Sequence, residues 1–266
     1  MIYVVPSLKA KEKLQCEGKA WAESQGFTYV PRGKRTIQDL MDEYGEDFLV
    51  YSSRGPQIDR PEGSHVCSLN MAELRIQNLR KGQRDHLLEA LMGRGSSKLP
   101  ITVLDCTCGF GADAAVASFG LPTGSRVDAL EVSPLLEAVT SWGFSHFVHK
   151  KDDVTAALRR ISLRRGDYRD YLLSDEGPVY DVLYFDPMFQ RPVEASCQFQ
   201  PVRAIMEHGG LTRDLIERAL QKARRRVVIK ERDFRQLCRD FPEVTLYGGK
   251  YSRIGYAVLE CDSWKK

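Results

Sequence analysis

The sequence predicts an α/β fold with a mostly parallel sheet and an antiparallel C-terminal hairpin, and three observations carry that prediction. Short apolar, β-rich runs recur at 103–105, 126–131, 180–185 and 226–230, with the length and composition of strands buried on both faces. The first of them ends on a carboxylate and enters a glycine-punctuated turn, VLDCTCGFGAD from Val103 to Asp113. That is how an α/β fold brings a strand end, a tight turn and a helix start around a nucleoside. Near the C-terminus, runs at 244–247 and 256–260 flank a glycine-bearing loop, which reads as a hairpin at a sheet edge.

Residues 1–65 form a small α/β appendage in this reading. It comprises a strand at 2–5, a helix over 9–25, the Gly-Phe-Thr-Tyr-Val strand and the basic turn Pro31-Arg32-Gly33-Lys34-Arg35. A helix at 37–44 and a strand at 48–52 follow, and 54–64, rich in Gly, Pro and charge, suits a linker or lid. The main domain spans 66–266. It opens with a helical pattern over 70–92 and a loop at 93–98, then the first core strand. Gly109 and Gly111 suit a turn that needs positive φ and close backbone approach, and 113–120 (DAAVASFG) reads as a helix with a carboxylate in its first turn. Strands at 126–131, 161–167, 180–185 and 226–230, a helix at 234–241 and the hairpin complete the domain.

The strand ends carry the chemistry. Gly109, Gly111 and Ala114 satisfy a dinucleotide fingerprint with Glu131 at the ribose position, which leaves a nicotinamide oxidoreductase open. Asp105, however, stands where a pyrophosphate would lie. A carboxylate there repels phosphate and attracts the ammonium and sulfonium charges of S-adenosylmethionine. Glu131 suits the ribose hydroxyls, Asp167 an adenine amino group, and Tyr168 a stacking ring. The turn residues Thr107, Gly109, Phe110 and Gly111 complete the expected cofactor contacts. At the fourth strand end, Asp186 and the Pro187 carbonyl can accept the two hydrogens of a planar amine while Phe189 stacks on its ring.

The segments DCTCGFGADA, LEVSP, YFDPMF and RRVVIKERDF together resemble class I S-adenosylmethionine-dependent methyltransferases with a Rossmann-like sheet. The resemblance is specifically to the bacterial small-subunit ribosomal RNA guanine-N2 methyltransferases and their uncharacterised Gram-positive relatives. It runs from about His65 to the C-terminus. It implies a cofactor site lined by Ala112, Asp113, Glu131, Val132, Asp167, Tyr168 and Asp186. The commonest amino-methylating signature has a second proline where Met188 stands, and the ribosomal RNA family shares the Asp-Pro-Met-Phe form. Met188, Gln190 and Arg191 are expected to contact substrate.

At 266 residues, 42% hydrophobic and 28% charged, the chain can bury a full core. The seven cysteines have no regular framework, and Cys106-x-Cys108 has neither zinc-knuckle spacing nor a second pair. Reduced, mostly buried thiols and no metal are expected, in a cytoplasmic protein without signal peptide or membrane span. Net charge is only +3, too mild to prove nucleic-acid binding, but the cations cluster at 32–35, 159–165 and 222–226, with Lys230, Arg232 and Arg235 after the fifth strand. Lys230 and Arg232 have two readings: phosphate contacts beside an inserted base, or ion pairs with Glu231 and Asp233. The expected activity is methylation of an exocyclic amine of an RNA base, with ribosomal RNA or the small ribosomal subunit as partner. A small-molecule or protein methyltransferase and a non-catalytic nucleotide-binding module stay open.

Overall fold

In the computed structural model, which describes residues 1–93, 99–187, 210–248 and 254–261, the chain forms two units, each with its own sheet. The first unit contains Met1–Ser68 and Ser133–Phe147. Its elements are β1 (Tyr3–Pro6), α1 (Glu12–Ser24), β2 (Thr28–Tyr29), α2 (Ile37–Tyr44), β3 (Phe48–Ser52), β4 (Gly55–Arg60) and β5 (Gly63–Val66). The sheet order is β2-β1-β3-β4-β5, with β2, β1 and β3 parallel and the last two strands antiparallel. Thr36 starts α2 through a capping box with Asp39. Leu40 then packs on Val5, Phe48 and Val50, all fully buried.

The expected linker at 54–64 is therefore two strands. Its polar residues Gln57, Asp59 and Arg60 are buried and satisfied within the sheet: Gln57 donates to both Asp59 oxygens at 2.9 Å, and Arg60 donates to the Asp59 carbonyl at 2.8 Å while lying over the Phe48 ring. Polar composition indicates a loop only when the polar groups have no partners.

The second unit contains Leu69–Val132 together with the described parts of the chain after residue 147. It begins with α3 (Asn70–Arg80) and α4 (His86–Met92), where one continuous helix was expected. The chain turns at Gly82 and restarts at Asp85, whose carboxylate accepts from Leu87 N at 3.0 Å. Then come β6 (Thr102–Asp105), α5 (Ala112–Gly120) and β7 (Arg126–Glu131). The helix that follows, α6 (Pro134–His146), belongs to the first unit, where the Trp142 ring covers Gly55. The second unit resumes with α7 (Asp152–Arg159), β8 (Ile161–Arg165), α8 (Tyr168–Leu173) and β9 (Val182–Phe185). It ends with α9 (Arg213–Lys222), β10 (Arg226–Glu231), α10 (Arg235–Asp240), β11 (Thr245–Gly248) and β12 (Gly255–Glu260). The sequence reading assigns no helix at α6, α7, α8 or α9.

Seven strands in the order β11-β12-β10-β9-β6-β7-β8 make the second sheet. The strands from β10 to β8 are parallel, and only β12 runs against its neighbours, as the C-terminal hairpin predicts. Leu104, Leu183, Phe185, Val227, Ile229 and Leu259 form its buried core. The chain winds outward from β6 through β7 to β8, then returns to the other side of β6 as β9. The carboxyl ends of β6 and β9 thus bound a topological switch point, where open α/β sheets bind ligands. The register pairs Asp105 with Tyr184, so Asp186 stands just past the strand edge.

Of the six described cysteines, Cys106, Cys108 and Cys261 are buried, Cys67 and Cys238 partly so, and Cys16 is exposed. Half rather than most of these thiols are thus fully buried.

Candidate active site

Every carboxylate singled out at a strand end lies at the carboxyl edge of the second sheet. Asp105 ends β6, and its Oδ1 accepts from Thr107 N at 3.1 Å. It is 2% exposed, and burial raises its pKa well above the usual carboxylate range, with the Thr107 N–H opposing and Asp113 and Asp186 adding repulsion. After it the chain turns through Gly109 and Gly111, at φ 54° and 73°, conformations that a Cβ disfavours. Gly109 N donates to Glu131 Oε2 at 2.8 Å, so the carboxylate ending β7 braces the turn after β6. Phe110 and Ala112 flank Gly111 at the start of α5, and Val132, 36% exposed, follows Glu131.

Asp167 caps α8 and accepts from Arg169 N at 2.8 Å and from Arg169 Nε. Burial pushes its pKa up, but the Arg169 hydrogen bonds and charge outweigh this and hold it low. The neighbouring Tyr168 ring is buried edge-on to Phe185, with centroids 5.4 Å apart. Its ring therefore packs into the core at this point of the edge.

Lys230, at the end of β10, organises the centre of the site. Its Nζ donates to Asp113 Oδ2 at 2.8 Å and to Asp186 Oδ2 at 2.7 Å. The partners expected from sequence were RNA phosphate or Glu231 and Asp233. The structure instead directs the ammonium inward, where the buried Asp113 and the half-buried Asp186 attract it more strongly than solvent-screened charges could. Asp113 also accepts from the Tyr184 hydroxyl at 2.7 Å and pairs with Arg75, which Asp85 holds by two bonds of 2.8 Å. Burial alone would raise the Asp113 pKa, yet the Lys230 and Arg75 charges hold it below the usual range. For Asp186 the balance is reversed: burial, with repulsion from Asp113 and Glu231, overcomes Lys230 and raises its pKa to about 6.

Beside Lys230, a second tie holds the Asp186 turn in place. Asp186 N donates to Thr107 Oγ1 at 2.6 Å, fastening the turn after β9 to the turn after β6. The Asp186 side chain keeps 29% of its exposure, enough to meet a ligand. Pro187 and Arg232 line a cleft of about 830 Å³ beside it, with Ile229, Glu231, Arg235 and Leu237. Phe189, Met188, Gln190 and Arg191 lie outside the described residues.

Sequence reasoning missed Arg75, Asp85 and Tyr184, which position Asp113. A hydroxyl in the otherwise apolar run VLYF was a local signal for Tyr184; Arg75 and Asp85 had none. Among the described residues, no group of three or more His, Cys, Asp or Glu is placed to hold a metal ion, and no helix is long and apolar enough to cross a membrane.

This donor set suits a positively charged nucleoside: carboxylates end β6, β7 and β9, a fourth begins α8, and a glycine turn leaves backbone open to approach. With the sheet order and terminal hairpin, it defines a class I S-adenosylmethionine-dependent methyltransferase. The chain belongs to the family described as "Putative SAM-dependent methyltransferase", whose model matches residues 65–254.

It is 28% identical over 230 residues to the uncharacterized protein YpiP of Bacillus subtilis, covering 86% of this chain and 88% of that one. It is 29% identical over 184 residues to a protein of Aeromonas salmonicida named "Ribosomal RNA small subunit methyltransferase J", covering 67% and 71% of the two chains. A protein of the same name from Dechloromonas aromatica is 27% identical over 195 residues, 72% and 76% of the two. Among solved structures, a SAM-dependent methyltransferase of Neisseria gonorrhoeae shares the fold, with a TM-score of 0.62, 18% identity and coverage of 97% and 95%.

Proposed function

We propose that this methyltransferase acts on an exocyclic amine of an RNA base, with guanine N2 of small-subunit ribosomal RNA as the target. The observation that carries the reading is Asp186, a partly open carboxylate held by Lys230 and Thr107 at the switch point and followed by Pro187. The names of the relatives from Aeromonas and Dechloromonas support ribosomal RNA as the substrate class.

S-adenosylmethionine, when bound, supplies a methyl group made electrophilic by the sulfonium. For that cofactor the reading keeps Asp105, Thr107, Gly109, Phe110, Gly111, Ala112, Asp113, Glu131, Val132, Asp167 and Tyr168 as the lining, with Glu131 toward the ribose. The ionised Asp186 and the Pro187 carbonyl accept the amine's two hydrogens and aim the nitrogen lone pair at the donor. Those acceptors also stabilise the positive charge that grows on nitrogen during transfer. Phe189 is the stacking ring of this proposal. Met188, Gln190, Arg191 and Arg232 meet the remainder of the nucleotide. Lys230 acts through Asp186 as a positioning residue.

Methyl transfer to small-subunit ribosomal RNA, followed by digestion and mass spectrometry of nucleosides, tests the reading. N2-methylguanosine that disappears with Asp186→Ala is the expected result. A methylated product on another base, or near-normal turnover by Asp186→Ala, would overturn the target or the role respectively.

A further inference from the structure

The first unit presents a polarised charge distribution that the methyl-transfer site does not use. Residues 1–68 hold nine Lys and Arg against ten Asp and Glu, so the unit has no excess of positive charge overall. Six of the nine cations nevertheless fall in three loops: Lys9 and Lys11 after β1, Arg32, Lys34 and Arg35 after β2, and Arg54 after β3. Because β2, β1 and β3 are parallel, these loops leave the same edge of the sheet. The backbone confirms that they start side by side: Val30 N donates to Val4 O and Ser7 N to Tyr51 O, at 2.9 and 2.8 Å. The opposite end collects acids, with Glu46 and Asp47 before β3, Asp59 late in β4 and Glu62 in the β4–β5 turn.

Within the basic edge the cations divide into two sets. Arg32 and Arg35 build the second loop, each Nε donating to the other's carbonyl at 3.0 Å, and Arg35 also pairs with Glu43 and the Tyr44 hydroxyl. Lys34 is thereby held outward at the loop tip. Lys9, Lys11, Lys34 and Arg54 are exposed, and among the described residues no side-chain hydrogen bond or ion pair engages them. Of the nearest acids, Asp39 is occupied by the Thr36 cap, while Glu12 opens α1. The strand order β2-β1-β3 places a topological switch point between β1 and β3 at this edge. The N-terminal ends of α1 and α2 start from the same loops and add partial positive charge.

We propose that this edge is a docking surface for the phosphate backbone of RNA, contacted by Lys9, Lys11, Lys34 and Arg54. Three strands about 4.8 Å apart set the outer loops about 10 Å from each other, a span that meets two or three successive phosphates. The inference rests on the RNA-directed reading of the activity and adds a second contact, which sets how tightly RNA is held.

The test is a full-length variant carrying Lys9→Gln, Lys11→Gln, Lys34→Gln and Arg54→Gln. Binding of transcribed small-subunit ribosomal RNA is measured between 50 and 300 mM salt, beside calorimetry with S-adenosylmethionine. At about 0.7 for each of these two or three phosphates, the slope of log affinity against log salt should fall by about 2. RNA affinity should fall at least tenfold at 100 mM salt, with cofactor affinity and melting temperature unchanged. An unchanged slope and affinity in a variant that still methylates RNA would remove the docking surface and leave the activity standing. Loss of slope in a protein that transfers no methyl to RNA would do the reverse. Wild-type protein that binds phosphatidylserine vesicles through these residues and leaves RNA unbound would overturn both.

Discussion

Replacing Lys230 by Met removes the cation that bridges Asp113 and Asp186, at 2.8 and 2.7 Å. The two carboxylates do not lose equally. Asp113 keeps Arg75 and the Tyr184 hydroxyl, whereas Asp186 keeps only its backbone tie to Thr107 among the contacts described above. Unit charges about 4 Å apart interact by about 4 kcal/mol at an effective dielectric of about 20, which is about three pK units at 1.36 kcal/mol each. Sharing of the ammonium between two carboxylates reduces the loss at Asp186, and a rise of about two units is expected from its present value of about 6. A carboxyl with a raised pKa is neutral below it and ionised above it, so the acceptor form is lost as pH falls. At pH 7 the ionised share should drop from about nine-tenths to about one-tenth, lowering kcat about tenfold with recovery near pH 9. The assay is kcat against pH for wild type, Lys230→Met and Lys230→Arg, with S-adenosylmethionine binding measured on each. An acid limb that stays near pH 6 in Lys230→Met, in protein that still binds cofactor, would refute the argument; Lys230→Arg should restore most of the profile.

Burial holds the Asp105 carboxyl above its usual pKa, and a cationic ligand should pull it down. Cofactor affinity should therefore rise as pH increases through the raised Asp105 pKa, with proton release on binding below it; calorimetry in buffers of different ionisation enthalpy would show neither if Asp105 were remote from the cofactor. Arg75→Met leaves Asp85 and Asp113 short of their shared cation and should cost about 3 kcal/mol in urea unfolding. The depressed Asp113 pKa contributes stability that is complete above the unfolded value near 4 and fades as pH falls below it, so wild-type stability should decline on that side and Arg75→Met less steeply. Gly111→Ala puts a Cβ at φ 73° and should cost about 1 kcal/mol, with a larger proportional loss of cofactor affinity; unchanged affinity would place the cofactor away from this turn.

The parts of this protein legible in sequence are those written in short, local runs. The β6 strand, its terminal Asp105, the Gly109–Gly111 turn and the start of α5 lie within one stretch of the chain, so spacing and residue type specify them together. The C-terminal hairpin was legible for the same reason, since its turn and its two strands are neighbours. Composition misled at β4 and β5, because Gln57, Asp59 and Arg60 look like loop residues until their partners are known. It misled again over 70–92, where a cap at Asp85 interrupts an otherwise continuous helical pattern. Local sequence placed carboxylates at the ends of the strands, but it could not say which would be ionised. That was decided by tertiary structure, which brings Arg75 of α3, Asp113 of α5, Tyr184 and Asp186 of β9 and its end, and Lys230 of β10 together. Ionisation depends on desolvation and on charges a few Å away, and those distances exist only once the sheet has closed.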